Sequence, residues 1–155
     1  MTEFLLPAKT TKHHWGITLI ELLVVIVIIA SLSAATIPIA SSFLVRNYLH
    51  DSSDELMSLL YSARINSLAN KNNSTWGVSV VTPQMTLFKG SSFATRDTAF
   101  DQSFDIPSSI TITNDEIIFD QQTGNADAVT SFSVTTNTGE SKTVSINEVG
   151  NVDVN

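Results

Sequence analysis

The chain has no cysteine in its 155 residues, so a disulfide framework, a thiolate metal site and a cysteine nucleophile are all excluded. Cationic side chains are also scarce: eight Lys and Arg stand against fifteen Asp and Glu, for a formal net charge of −7. Non-specific phosphate affinity comes mainly from clustered Lys and Arg, so this balance argues against nucleic acid as a partner. Histidine is rarer still. His13 and His14 sit side by side near the N-terminus, and His50 is the only other one. His50 neighbours Asp51 in a helical stretch, where adjacent residues point to different faces and form no relay. No nucleophile, base and orienting group come together in the sequence. The abundant Ser and Thr fall in strand-like and loop-like segments, and the expectation is a non-enzyme without a cofactor.

What the chain does have is one apolar run with a carboxylate near its start: His14-Trp15-Gly16-Ile17-Thr18-Leu19-Ile20-Glu21-Leu22-Leu23-Val24-Val25-Ile26. A charge costs about 2.5–3.5 kcal/mol at the centre of a bilayer and less towards its edge, so Glu21 requires an explanation. These residues closely resemble the processing site of type IV prepilins and pseudopilins. The resemblance implies cleavage by a prepilin peptidase between Gly16 and Ile17, followed by methylation of the new amine on Ile17. It also implies that Glu21, the fifth residue after the cut, guides filament assembly. Ile17 departs from the Phe usual at that position in the family. Other pilin or pseudopilin subunits, the peptidase and an inner-membrane assembly platform are the implied partners.

Residues 1–16 then form a leader whose Lys9, Lys12 and His13-His14 place positive charge on the cytoplasmic side. Without it the chain keeps six basic and fourteen acidic residues, a net charge of −8. From Leu22 to Val45 there are 24 residues without a formal charge, about 36 Å if helical and enough to cross a bilayer. The expected organisation is leader 1–16, a transmembrane or filament-core half-helix over 17–45, and an exported globular domain over 46–155. The expected location is the inner membrane, single-pass with the N-terminus inside, and later a filament at the periplasm or cell surface. An ordinary secretory signal, cut near Ser33-Ala34-Ala35, is the competing reading of the same run.

Helical periodicity continues beyond it. Val45, Leu49, Leu56, Leu60 and Ala63 mark one stripe, widened by Leu59, Ile65 and Leu68, with Asp51, Asp54, Glu55 and Arg64 mostly opposite. Pro38 removes a backbone hydrogen bond and clashes one turn back, so a kink is expected there, and pilins resembling this chain loosen at the corresponding proline. Asn70-Lys71-Asn72-Asn73-Ser74 reads as a stop. Beyond it the period changes to two. Strands are predicted at 75–81 and 85–89, at 109–113 and 116–120 as a hairpin about Asn114-Asp115, at 131–135 and 143–146, and through Val152 and Val154. Residues 90–103 read as a polar loop. The fold class is α+β: a pilin-like fold with a long N-terminal helix, kinked at Pro38, whose outer half packs on a C-terminal antiparallel β-sheet.

Trp76-Gly77-Val78, Leu87-Phe88-Lys89-Gly90, Ile118-Phe119 with Thr123-Gly124, and Ser145-Ile146-Asn147 with Gly150 are similar to H-type, FimT-like minor pseudopilins. That likeness raises a second function, a pilus-associated receptor for DNA uptake, for which Lys71, Lys89, Arg96 and Lys142 are the available cations. A plain anchored or secreted β-domain is the third. Asp97, Asp101, Asp105, Asp115 and Asp120 are candidate calcium carboxylates, because calcium takes several oxygen ligands. Their spacing is not that of an EF-hand, so these are weak candidates, and solvated loop charges with no metal are the expected account.

Overall fold

The computed structural model describes residues 16–155, without the side chains of residues 34–41. The leader expected over 1–16 thus lies outside the described residues except for Gly16, and the Pro38 kink lies outside the described side chains. The chain divides into two compact units, Met1–Ile39 and Ala40–Asn155. Helical residues, α1, run Leu19–Leu68 and so contribute to both.

In the second unit α1 is followed by eight strands: β1 (Trp76–Val81), β2 (Gln84–Lys89), β3 (Gln102–Asp105), β4 (Ile110–Ile112), β5 (Asp115–Phe119), β6 (Thr130–Thr136), β7 (Ser141–Ile146) and β8 (Val152–Val154). They form two four-stranded antiparallel sheets, ordered β3-β2-β1-β5 and β4-β6-β7-β8. Alternation along each strand sends one face inward. Trp76, Val78, Val80, Met85, Leu87, Ile117 and Phe119 come from the first sheet, and Ile110, Ile112, Phe132, Val134, Val144 and Ile146 from the second. Leu49, Leu56, Leu59, Leu60 and Ala63 of α1 join both sets in one buried core. Ile65 and Leu68, which the periodicity placed on the same stripe, are instead 61% and 43% exposed.

The expected fold is corrected in three respects. The helical residues of α1 are divided between two units, with apolar described side chains at 19–33 and mixed ones at 42–68, rather than forming one long apolar N-terminal helix. The strands make two sheets, not one. No helix among the described residues is long and apolar enough to cross a membrane, which also corrects the expected single-pass placement in the inner membrane. The physical reason lies in length and charge. The described apolar side chains, at 19–33, cover about 22 Å of the helix axis, against a hydrocarbon core of about 30 Å. Residues 42–68 carry Arg46, Asp51, Asp54, Glu55 and Arg64.

The predicted hairpin about Asn114-Asp115 is corrected as well: β4 pairs with β6, while β5 pairs with β1. A two-residue hairpin favours positive φ at its central positions. Neither Asn114 nor Asp115 adopts it. The Asn114 side chain instead ties this crossing to the β1–β2 turn, its Oδ1 accepting from Thr82 N at 3.1 Å and Thr82 Oγ1 at 3.0 Å. Residues 90–103 are not a plain loop either, because β3 begins at Gln102 and pairs with β2.

The segment between β2 and β3 covers the outer face of the first sheet. Phe93 packs edge-on against the buried Phe88, with ring centroids 5.5 Å apart. Phe88 in turn fills the space above Gly77, where an added Cβ would come within 2.6 Å of both the Phe88 ring and the carbonyl oxygen of Ile117. Glycine is therefore required at the centre of β1 by close approach rather than by backbone angle.

Candidate assembly segment

Helix α1 opens with a cap. Thr18 is the last non-helical residue, and its Oγ1 accepts a hydrogen bond from the backbone N–H of Glu21 at 3.2 Å. Its carbonyl accepts from Leu22 N at 3.2 Å, the first bond of the helical ladder. Thr18-Leu19-Ile20-Glu21 is thus the S/T-x-x-E pattern of a capping box, with the carboxylate in the first turn, where the helix dipole favours negative charge. Glu21 has a local reason to be tolerated in an apolar run, in addition to any role between subunits. The pattern was legible in the sequence, but attention to Glu21 alone passes over Thr18.

Gly16 and Ile17 precede the helix outside any regular element, and both are exposed. A Cβ placed on Gly16 would meet nothing within 4 Å. The bond between them is open to an enzyme that needs extended backbone.

Beyond the cap, Leu19, Ile20, Leu22 to Ile29 and Leu32 are between 46% and 82% exposed. No side of this stretch is covered. Ser31 and Ser33 return their hydroxyls to the carbonyls of Ile28 and Ile29, both at 2.8 Å, which removes polar groups from the surface they would otherwise interrupt. A helix apolar around its whole circumference belongs in the interior of something. Twelve large apolar side chains, counting Ile17, are available here. At ~2 kcal/mol for burying each fully, and with about half the area still exposed, covering them is worth on the order of 10 kcal/mol.

The remaining residues singled out in the sequence are dispersed. Asp97 caps a short 3-10 turn through Ala99 N and meets Lys89 Nζ at 3.4 Å. Asp101 pairs with Arg96 at 2.8 Å. Asp105 accepts from Gln84 Nε2 at 2.9 Å, and Asp115 accepts from Thr130 Oγ1 at 2.6 Å. Asp120 is exposed in the turn after β5. Among the described residues, no three His, Cys, Asp or Glu side chains are placed to hold a metal ion. The cations considered for DNA do not form one free surface. Lys89 and Arg96 are the ion-paired residues just described, and Lys142, on the second sheet, has its Nζ 2.9 Å from Nδ1 of His50 on α1. Lys71 stands over the Trp76 ring, 5.2 Å from its centroid.

No protein-family model, no curated protein and no solved structure matches this chain.

Proposed function

We propose that this chain is a structural subunit, a minor pilin or pseudopilin, of a filament of the type IV pilus or secretion-pseudopilus kind. The observation that carries the reading is the helical stretch at 19–33, apolar and exposed on every side, directly behind an accessible Gly16–Ile17 bond. A prepilin peptidase cuts that bond, and the apolar stretch then packs against the same stretch of neighbouring subunits. The gain from covering it supplies the driving force for association.

Cleavage leaves a cationic amine on Ile17, four residues from the Glu21 carboxylate. An unpaired charge among apolar helices costs several kcal/mol, so the amine of one subunit pairs with Glu21 of the next. That pairing sets an axial offset between adjacent subunits. The cap on Glu21 N–H by Thr18 fixes the turn from which the carboxylate projects.

The test is intact mass and N-terminal sequence of the chain expressed with and without a prepilin peptidase. A peptidase-dependent product beginning at Ile17, one methyl group heavier where methylation occurs, is the expected result. A product beginning after Ala35, or an uncut chain in the presence of active peptidase, would overturn the proposal in favour of a secreted or anchored β-domain.

A further inference from the structure

A second site lies on the outer face of the first sheet, on the side turned away from the core. There Ser79, Val81, Thr82, Pro83, Gln84 and Thr86, with Phe93 above them, enclose a cleft of about 250 Å³. Its origin is in the register. Ser79 pairs with Thr86 on one side and Glu116 on the other, and Thr86 pairs with Ser103, so one polar row crosses all four strands. These positions alternate with Val78, Val80, Met85 and Leu87, which point into the core. Small hydroxyl side chains on this row leave a depression, and the segment carrying Phe93 forms its wall.

That wall is held in place from three directions. Glu116 Oε1 accepts from Phe93 N at 2.8 Å, Arg96 Nη1 donates to Phe93 O at 2.7 Å, and the Arg96 guanidinium stacks 3.7 Å from the Phe93 ring centroid. The floor is different. Ser79 is only 3% exposed, yet its hydroxyl has no hydrogen-bond partner among the described residues and lines the cleft. A hydroxyl that lines a cleft without a protein partner is free to bond whatever occupies the space. Thr86 is nearly as buried, but its hydroxyl is taken by Ser103 at 2.9 Å. Gln84 spends its amide N–H on Asp105, leaving the carbonyl oxygen as an acceptor.

No Asp, Glu, Lys or Arg lines the cleft, so the ligand that fits is neutral. The lining pairs an apolar side (Val81, Pro83, Phe93) with hydroxyl and amide groups, the mixture found where a small ligand is both covered and oriented. Its volume is that of about eight waters in the liquid, room for one six-membered ring and not for a chain. We propose that this cleft is a binding subsite for a single neutral pyranose sugar. The C–H face of the ring lies against Phe93 and Pro83. Its hydroxyls meet the Ser79 hydroxyl on the floor, with Thr82 and Gln84 at the rim. The subsite does not depend on the filament reading, since all its residues belong to the second unit.

The test uses the full-length chain, 15N-labelled and dispersed in a detergent without a sugar headgroup. Methyl glucopyranoside, methyl galactopyranoside and N-acetylglucosamine are titrated separately, with glycerol as the acyclic control. A ligand of this size binds with a Kd of about 1–10 mM. The expected result is saturable shifts for at least one sugar, confined to the amides of residues 79–82, 84–86 and 93. Affinity should fall at least tenfold in Ser79→Val, which fills the floor, and also fall in Gln84→Ala, an exposed position whose truncation leaves the core intact. Absence of saturable shifts with every sugar well above that range would overturn the proposal. So would equal shifts from glycerol, or undiminished binding in both variants.

Discussion

Two serines on α1, Ser53 and Ser67, are both fully buried, and the structure gives them very different weights. Ser67 Oγ donates to Phe119 O at 2.9 Å and accepts from Trp76 N at 2.9 Å, so one hydroxyl joins the end of α1 to the start of β1 and the end of β5. Ser53 Oγ donates only to Leu49 O at 2.7 Å, a carbonyl one turn back that already belongs to the helical ladder. In Ser67→Ala the Trp76 N–H and the Phe119 carbonyl both lose a partner where water has no access. At about 1–3 kcal/mol for each stranded group, with the carbonyl at the low end, the loss is about 2–4 kcal/mol. Alanine returns about 0.5 kcal/mol of helix propensity at either site. The net expectation is about 2–3 kcal/mol for Ser67→Ala and nearly zero for Ser53→Ala. Urea unfolding followed by Trp76 fluorescence, with Trp15 replaced by Phe, measures the difference. With a slope of about 1.5 kcal/mol/M, the midpoint of Ser67→Ala should lie roughly 1.3–2 M below that of Ser53→Ala. Midpoints within about 0.5 M of each other would refute the view that this hydroxyl is the junction of the three elements.

Gly77→Ala should cost about 1–3 kcal/mol in the same assay, because the new methyl meets a backbone carbonyl that cannot retreat without opening the β1–β5 ladder. A neutral effect would mean that β1 has slack at its centre. Arg46→Ala removes an ion pair to Glu140 at 2.9 Å whose side chains are 66% and 41% exposed. Its effect on the urea midpoint should stay below about 1 kcal/mol equivalent and shrink further in 1 M salt. Glu21→Ala should leave cleavage after Gly16 intact while lowering recovery of the chain in sheared filaments more than tenfold. Recovery equal to the wild-type chain would remove Glu21 from assembly and leave it only its place in the helix cap.

Local patterns showed where the elements lie. The change from a 3.6-residue to a two-residue period near Asn70 marks the end of α1, and the strands at 76–81, 84–89, 130–136, 141–146 and 152–154 follow from alternation. The core stripe of Leu49, Leu56, Leu60 and Ala63 was visible for the same reason, since side chains four and seven apart share a helix face. The stripe was drawn too long at Ile65 and Leu68. Nothing local tells a helix where the sheets beneath it stop.

By itself the sequence determined the apolar stretch behind Gly16, the lone carboxylate at Glu21, the Thr18 cap pattern, though it was passed over, and the order of the helix and of every strand but β3. Each is a property of neighbouring residues and needs no distant partner. Tertiary structure alone decided that β4 and β5, two residues apart in the chain, belong to different sheets. It also placed the all-exposed Gln102–Asp105 as an edge strand, made Ser67 a junction, and left Ser79 unpaired beneath Phe93. Alternation specifies which face of a strand is buried, but the partner it pairs with is settled by competition among distant segments for one shared core.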